Sequence, residues 1–337
     1  MARKVVSYYS MDSMNEIVHQ EIIESFSDFF NNKNYVLGPN VEKFENDYST
    51  FSNTKFCIGT SNGLDALVLS LKSLNIGKGD EVILPSNTFI ATVLAVIHCG
   101  ATPVFAEPCI ETYNLDHDLL SKVLTKKTKA IIAVNLYGNP CDFNNILKFT
   151  EKNNLFLIED NAQAQGATWN GKLTGSFGDV NAVSFYPAKN LGAYGDAGAV
   201  TTNNKNLYLK IRSLRNYGLS KKYTNEYLGH NYRLDEGQAG FLSIKLKYLD
   251  YWNEQRVKTS KLYFQQLSNI DDLILPTIHK SAKSVYHIFN IRTKKRDLLK
   301  KYLNENGIET LIHYPTPPHL QKCFEFLKIK EKSFPIA

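Results

Sequence analysis

The chain has few cysteines for its 337 residues, and the five it has (Cys57, Cys99, Cys109, Cys141, Cys323) are odd in number with no CxxC spacing. That excludes a disulfide-stapled scaffold and a zinc ribbon, and it fits a reducing, cytoplasmic setting. No apolar run approaches the roughly 20 residues that a membrane helix needs. The opening "MARKVVSYYS" lacks the apolar core of a signal peptide, so no membrane partner is expected. There is no GxxxxGK[ST] loop, no internal repeat, no low-complexity tract and no His/Cys/carboxylate set at metal spacing. Nucleic-acid motifs are missing too. The net charge of +6 comes from lysines scattered through "TKKTK", "LSKKY" and "TKKRDLLKKYL". They read as solvated faces; the mild positive field suits an anionic small substrate, with no nucleic-acid partner.

Present instead is an ordinary globular composition, 43% hydrophobic and 21% charged, long enough for two domains. Residues 14–31 space Ile17, Ile22, Ile23, Phe26, Phe29 and Phe30 as a helix. A second helix after Gly38-Pro39 carries Val41, Phe44 and Tyr48. From about residue 56, short apolar runs ("KFCIGT", "DEVILP", "TPVFAE", "TKAIIAVNL", "LFLIED", "VNAVSFY") alternate with helical stretches such as "GLDALVLSLKSLNI" and "NNILKFTEKNN". That alternation predicts a wound, mostly parallel α/β sheet covered on both faces. After "GAVTTNN" a long amphipathic stretch leads away. A strand "SVYHIFNIRT", a helix "RDLLKKYLNENG" and a proline-rich loop follow. The expected division is a large domain over 1–245 and a smaller C-terminal α+β domain over 246–337.

Three loops at strand ends carry chemistry, because open α/β sheets bind ligands there. "GTSNGLDAL" (59–67) puts small residues before a helix, an anion cradle of free N–H groups, although many such turns bind nothing. Asp160 closes "LFLIED"; it is a helix cap or the partner of a positive group such as a protonated ring nitrogen. Lys189, in "SFYPAKNLGAYGDAGAV", sits between an apolar run and a glycine-rich turn, where desolvation lowers a lysine's pKa and makes it a nucleophilic amine. A phosphate cradle, an acid for a pyridinium nitrogen and a lysine for an aldehyde together fit pyridoxal phosphate.

With "GPNVEKFE", "ILPSNTFIATVLAV", "LYGNPCDF", "IEDNAQAQGA", "RNYG", "HNYRLDEGQAGFL" and "IHYPTPPHL" added, the sequence resembles the pyridoxal-phosphate sugar aminotransferases of the DegT/DnrJ/StrS type along nearly its whole length. The resemblance implies an aspartate-aminotransferase-like fold, with a mostly parallel seven-stranded sheet, and a homodimer with shared active sites. Lys189 would hold the cofactor as a Schiff base and shuttle the proton. Asp160 would pair with the pyridine nitrogen, Gln163 would contact the phenolic oxygen and Phe89 would stack on the ring. Asn62, Gly63, Leu64 and Ser184 would line the phosphate site, and Asn231 would reach it from the other subunit. Tyr186, His313, Tyr314 and His319 would face the sugar nucleotide. Each of these has a plainer role as core, cap or turn residue.

Within that family "EDNAQAQGA" and "NYRLDEGQAG" are similar to the enzymes acting at sugar carbon 3. The implied reaction moves an amino group from L-glutamate to a dTDP-linked 3-keto-6-deoxyhexose, for a surface glycan or another aminosugar. A carbon-4 aminotransferase, a sugar dehydratase and a non-catalytic regulator are the alternatives. The last two are expected to have lost Lys189 or Asp160, which are both present. Family members usually continue beyond the point corresponding to "KSFPIA", so the small domain is expected to be short of a final strand and helix.

Overall fold

The computed structural model describes residues 5–337; the first four residues of the N-terminal stretch lie outside it. Two helices come first, α1 (Asp12–Asn32) and α2 (Pro39–Phe51). Strand β1 (Phe56–Thr60) leads to α3 (Gly63–Ser73), β2 (Glu81–Pro85) to α4 (Ile90–His98) and β3 (Thr102–Ala106) to the short α5 (Leu120–Val123). Next come β4 (Thr128–Val134), α6 (Phe143–Asn153) and β5 (Phe156–Asp160). The two-residue strands β6 (Thr168–Trp169) and β7 (Lys172–Leu173) precede β8 (Val180–Ser184) and β9 (Gly198–Thr202).

Seven of these strands form one sheet in the order β1-β9-β8-β5-β4-β2-β3. All pairings are parallel except those of β9, which runs antiparallel to both β1 and β8. The strands are apolar throughout because helices cover both faces: Ile131, Ile132, Ala133, Ile158 and Val183 are wholly buried. The chain turns outward from β2 to β3 and then crosses back to β4. The crevice outside the strand ends at that reversal is where such sheets bind ligands.

The expected long amphipathic stretch is two helices, α8 (Glu236–Leu246) and α9 (Leu249–Leu267), after α7 (Lys205–Arg215) and a hairpin of β10 (Leu219–Lys221) and β11 (Thr224–Asn225). Beyond α9 lie β12 (Ala282–Lys283) and α10 (Arg296–Glu305). The expected strand "SVYHIFNIRT" does not form. Its backbone is drawn onto the large sheet's loops instead, Val285 N donating to Gly138 O (3.1 Å) and Ile288 N to Tyr137 O (3.3 Å). Among the described residues no helix is long and apolar enough to cross a membrane.

Helix α1 buries only Val18, while Ile17, Ile23, Phe26 and Phe30 are exposed. Its apolar spacing forms the helix as read, but this face is left uncovered within the chain.

Candidate active site

The cradle begins at a fixed strand end. Glu45 on α2 and Arg215 on α7 form a buried ion pair. Both also hold β1, since Gly59 N donates to Glu45 Oε1 (2.8 Å) and Arg215 donates to Gly59 O (2.7 Å). Asn62 caps α3: its Oδ1 accepts from Asp65 N and its Nδ2 donates to Asp65 Oδ2, both at 2.8 Å. Ser61 Oγ also donates to Asp65. The N–H groups of Gly63 and Leu64 have no partner among the described residues, and they lie at the positive end of the helix dipole. A Cβ on Gly63 would come within 2.7 Å of Ser184 Cβ, so glycine lets the helix start approach Ser184 on β8. The Ser184 hydroxyl accepts from Tyr186 N (3.3 Å), which leaves its proton for an anion.

Asp160 ends β5 and is 5% exposed. Its Oδ1 accepts from Ala162 N (3.2 Å) in a turn; the next element is β6, so Asp160 is not the helix cap that the sequence allowed. Its Oδ2 accepts from Thr92 Oγ1 (2.9 Å) on α4, and the Thr88 hydroxyl backs Thr92 at 2.8 Å. Burial raises the carboxyl's pKa; Thr92, Ala162 and Lys189 oppose that by favouring the anion. Thr92 was not singled out from the sequence. The available signal was a hydroxyl one turn after Phe89 in an otherwise apolar helix.

Lys189 lies on the loop joining β8 to the antiparallel β9. The loop closes on itself through Phe185 N to Ala197 O (2.8 Å) and Ala193 N to Phe185 O (2.7 Å). A Cβ on Gly192 would meet Pro187 O at 2.2 Å, so this tight return requires glycine. Desolvation lowers the Lys189 pKa to about 8, with Asp160 pulling the other way. A substantial neutral fraction therefore exists at mildly alkaline pH.

The remaining expected residues divide. Phe89 caps α4, is half exposed, and stands 5.5 Å (ring to ring) from Tyr314. Gln163 is buried; its Oε1 accepts from Tyr137 N (2.7 Å) and its Nε2 donates to the Tyr314 hydroxyl (3.2 Å). Burial holds the Tyr314 phenol up at about 12, so it stays protonated. His313 stacks on Tyr8 at 5.8 Å, and its carbonyl accepts from Tyr137. Burial and the nearby Lys189 lower the His313 pKa. Tyr186 is exposed beside Lys189. His319 is placed differently: it is 4% exposed and packed against Phe105 and Phe334, so its ring is walled off by apolar side chains. Asn231 is exposed, and its residue bridges to Asn216. Among the described residues no three His, Cys, Asp or Glu gather at metal-binding distance.

Pyridoxal phosphate fits this donor set. Unpaired N–H groups and a hydroxyl meet at a helix start, a hydrogen-bonded buried carboxylate faces the crevice, and an amine of lowered pKa stands near it.

The profile of the DegT/DnrJ/EryC1/StrS aminotransferase family matches residues 16–337. The chain is 45% identical to the dTDP-3-amino-3,6-dideoxy-alpha-D-galactopyranose transaminase of Aneurinibacillus thermoaerophilus, over 99% of this chain and 91% of that protein. It superposes on the crystal structure of Streptomyces venezuelae DesV with a TM-score of 0.97 and 40% identity, covering 98% of this chain and 90% of that one. The Bacillus subtilis protein NtdA, solved with the cofactor PMP bound, is 30% identical with a TM-score of 0.89, over 95% of this chain and 75% of that one.

Proposed function

Because this chain belongs to the DegT/DnrJ/EryC1/StrS aminotransferase family, and is thus a pyridoxal-phosphate-dependent sugar-nucleotide transaminase, we propose that it aminates carbon 3 of a dTDP-linked 3-keto-6-deoxyhexose with L-glutamate as donor. The observation that carries the chemistry is the gathering, at neighbouring strand ends, of unpaired N–H groups at the start of α3, the buried hydrogen-bonded Asp160 and the Lys189 loop after β8. When bound, the cofactor supplies an electron sink through which an amino group is exchanged for a keto group.

The protein's own residues do the rest. Gly63 N–H, Leu64 N–H and the Ser184 hydroxyl would hold the phosphate at the start of α3. Asp160, which accepts from Thr92 Oγ1 and the Ala162 N–H, would pair with the ring nitrogen and favour its protonated form. Phe89, half exposed beside Tyr314, would cover one face of the ring. Lys189 would anchor the cofactor through its amine, and its Nζ would hold and move the proton of the exchange. Gln163 and Tyr314 form one hydrogen-bonded unit at the mouth, with the Tyr314 hydroxyl able to reach a sugar oxygen. His313 and Tyr186 line the same mouth as substrate contacts, while the buried His319 supports the wall.

The carbon-3 assignment rests on the relative from Aneurinibacillus and on the residues around Gln163. A homodimer with Asn231 completing the partner's phosphate site is supported by the exposed apolar face of α1 and by the exposure of Asn231. Five free cysteines support a cytoplasmic location, and an aminated deoxysugar suits surface-glycan synthesis. The test generates the labile 3-keto sugar in place with a ketoisomerase, supplies L-glutamate, and reads the C–N position by NMR. An amine at carbon 3, with the 4-keto precursor a poor substrate, is expected; an amine at carbon 4 overturns the assignment.

A further inference from the structure

Lys189 is carried by a tight turn whose middle is held from the other end of the chain. Lys189 N donates to Tyr186 O (2.8 Å), which closes the four-residue turn Tyr186-Pro187-Ala188-Lys189. With proline second, a turn has two common forms, which differ by a flip of the central peptide, here the one between Pro187 and Ala188. One form needs a positive φ at Ala188, and Ala188 does not have it. The orientation of that peptide sets the direction in which the chain, and with it Lys189, leaves the turn.

The carbonyl of that central peptide is held on the page by two contacts. It packs against Gly192, where a Cβ would stand 2.2 Å from Pro187 O. It also accepts a 2.6 Å hydrogen bond from the Tyr9 hydroxyl. Tyr9 is itself exposed, so its contribution lies in this contact more than in buried area. Partial burial raises the phenol's pKa against the pull of Arg256, so the donated proton stays in place at neutral pH.

The arm that delivers Tyr9 is anchored in its turn. Residues 6–8 are tied to the segment after α10: Val6 N donates to Gly307 O (2.8 Å), Glu309 N to Val6 O (3.0 Å) and Tyr8 N to Glu309 Oε2 (3.1 Å). Tyr8 also stacks on His313, 5.8 Å ring to ring and 25° from parallel. One short arm thus touches both the lysine turn and the His313 loop.

We propose that Tyr9 is a positioning residue for Lys189: its hydroxyl, fixed by the arm's anchorage after α10, holds the Pro187 carbonyl and with it the turn that presents the lysine. Without the bond the central peptide rocks, and the amine samples more directions than the one from which it reacts. The inference rests on the reading of Lys189 as the reacting amine.

The test compares Tyr9→Phe, which removes only the hydroxyl, with Tyr9→Leu, which removes the ring as well. Hydrogen exchange in the cofactor-free protein is read on the peptide containing Lys189. Its exchange is expected to quicken by about 3- to 10-fold in Tyr9→Phe, the worth of one hydrogen bond, with β5 unchanged. Acylation of Lys189 across pH gives a second reading. The wild-type midpoint falls at about pH 8. In Tyr9→Phe it rises by about half a pH unit or more, because a looser turn lets water reach the amine. In the loaded enzyme Tyr9→Phe lowers kcat by about 3- to 10-fold, with KM for the sugar nucleotide within about twofold of wild type. Tyr9→Leu is expected to match Tyr9→Phe in all three. Wild-type exchange and labelling in Tyr9→Phe overturn the proposal, and so does damage confined to Tyr9→Leu, which would make the ring's packing the cause. Lys189→Ala run alongside separates the two readings: full activity there refutes the role of Lys189, while the exchange measurement still reports on the turn.

Discussion

Thr92 Oγ1 donates a 2.9 Å hydrogen bond to Asp160 Oδ2, joining the first turn of α4 to the end of β5 in the buried floor of the site. The bond favours the anion of that carboxyl, against the burial that raises its pKa. Burial alone would push the carboxyl towards neutrality, and a neutral acid would not favour a protonated ring nitrogen.

Asp160→Asn separates stability from activity. A carboxyl whose pKa is raised on folding opposes folding as pH rises past its unfolded value, so at neutral pH the cofactor-free variant is expected to melt higher than wild type. Turnover is expected to fall by roughly 100-fold or more, because the charge proposed to favour the protonated ring nitrogen is gone. Thr92→Val, which takes one hydrogen bond from the carboxylate, is expected to cost about 10-fold. Thermal melts with single-turnover kinetics check both.

Lys189→Ala tests the proposed covalent anchor and proton carrier together. Turnover is expected to fall by roughly 10³-fold or more, with cofactor still bound non-covalently. Borohydride treatment of the loaded wild type should fix the cofactor on the peptide containing Lys189. Labelling on another lysine contradicts the assignment.

Gly63→Ala places a methyl 2.7 Å from Ser184 Cβ, so α3 must back away from β8. Overpacking of this kind costs about 1–3 kcal/mol. Cofactor affinity should fall at the same time, since the unpaired N–H groups move with the helix. Equilibrium binding of pyridoxal phosphate, set against a melt, shows whether the two losses go together.

Mixing Lys189→Ala with Asn231→Ala tests the shared site. Each homodimer is inactive if Asn231 completes the partner's cradle, and a hybrid carries one intact composite site. Recovery of up to about a quarter of wild-type activity after subunit exchange is the statistical expectation for random re-pairing. No recovery despite demonstrated exchange counts against it.

Much of this site was readable along the chain because its anchors are local. Asn62 caps α3, Asp160 closes an apolar strand and Lys189 precedes a glycine turn, and each leaves its mark within a few residues. Six apolar runs came out as strands of the main sheet, since strands buried on both faces are continuously apolar. Pattern also made a strand of "SVYHIFNIRT", whose β-branched and aromatic residues would suit one. Its amides instead found carbonyls at Tyr137 and Gly138, far away in sequence. The same distance in sequence hid Thr92 and placed His319 among phenylalanines. The sequence by itself determined the sheet, the helices and the three residue types that the chemistry needs, because propensity, capping and periodicity act over one or two turns. Only the tertiary structure decided which hydroxyl holds the carboxylate and which amide meets the Tyr314 phenol. Those depend on hydrogen bonds between side chains that meet only once the sheet has closed, where burial makes every unmatched donor or acceptor costly.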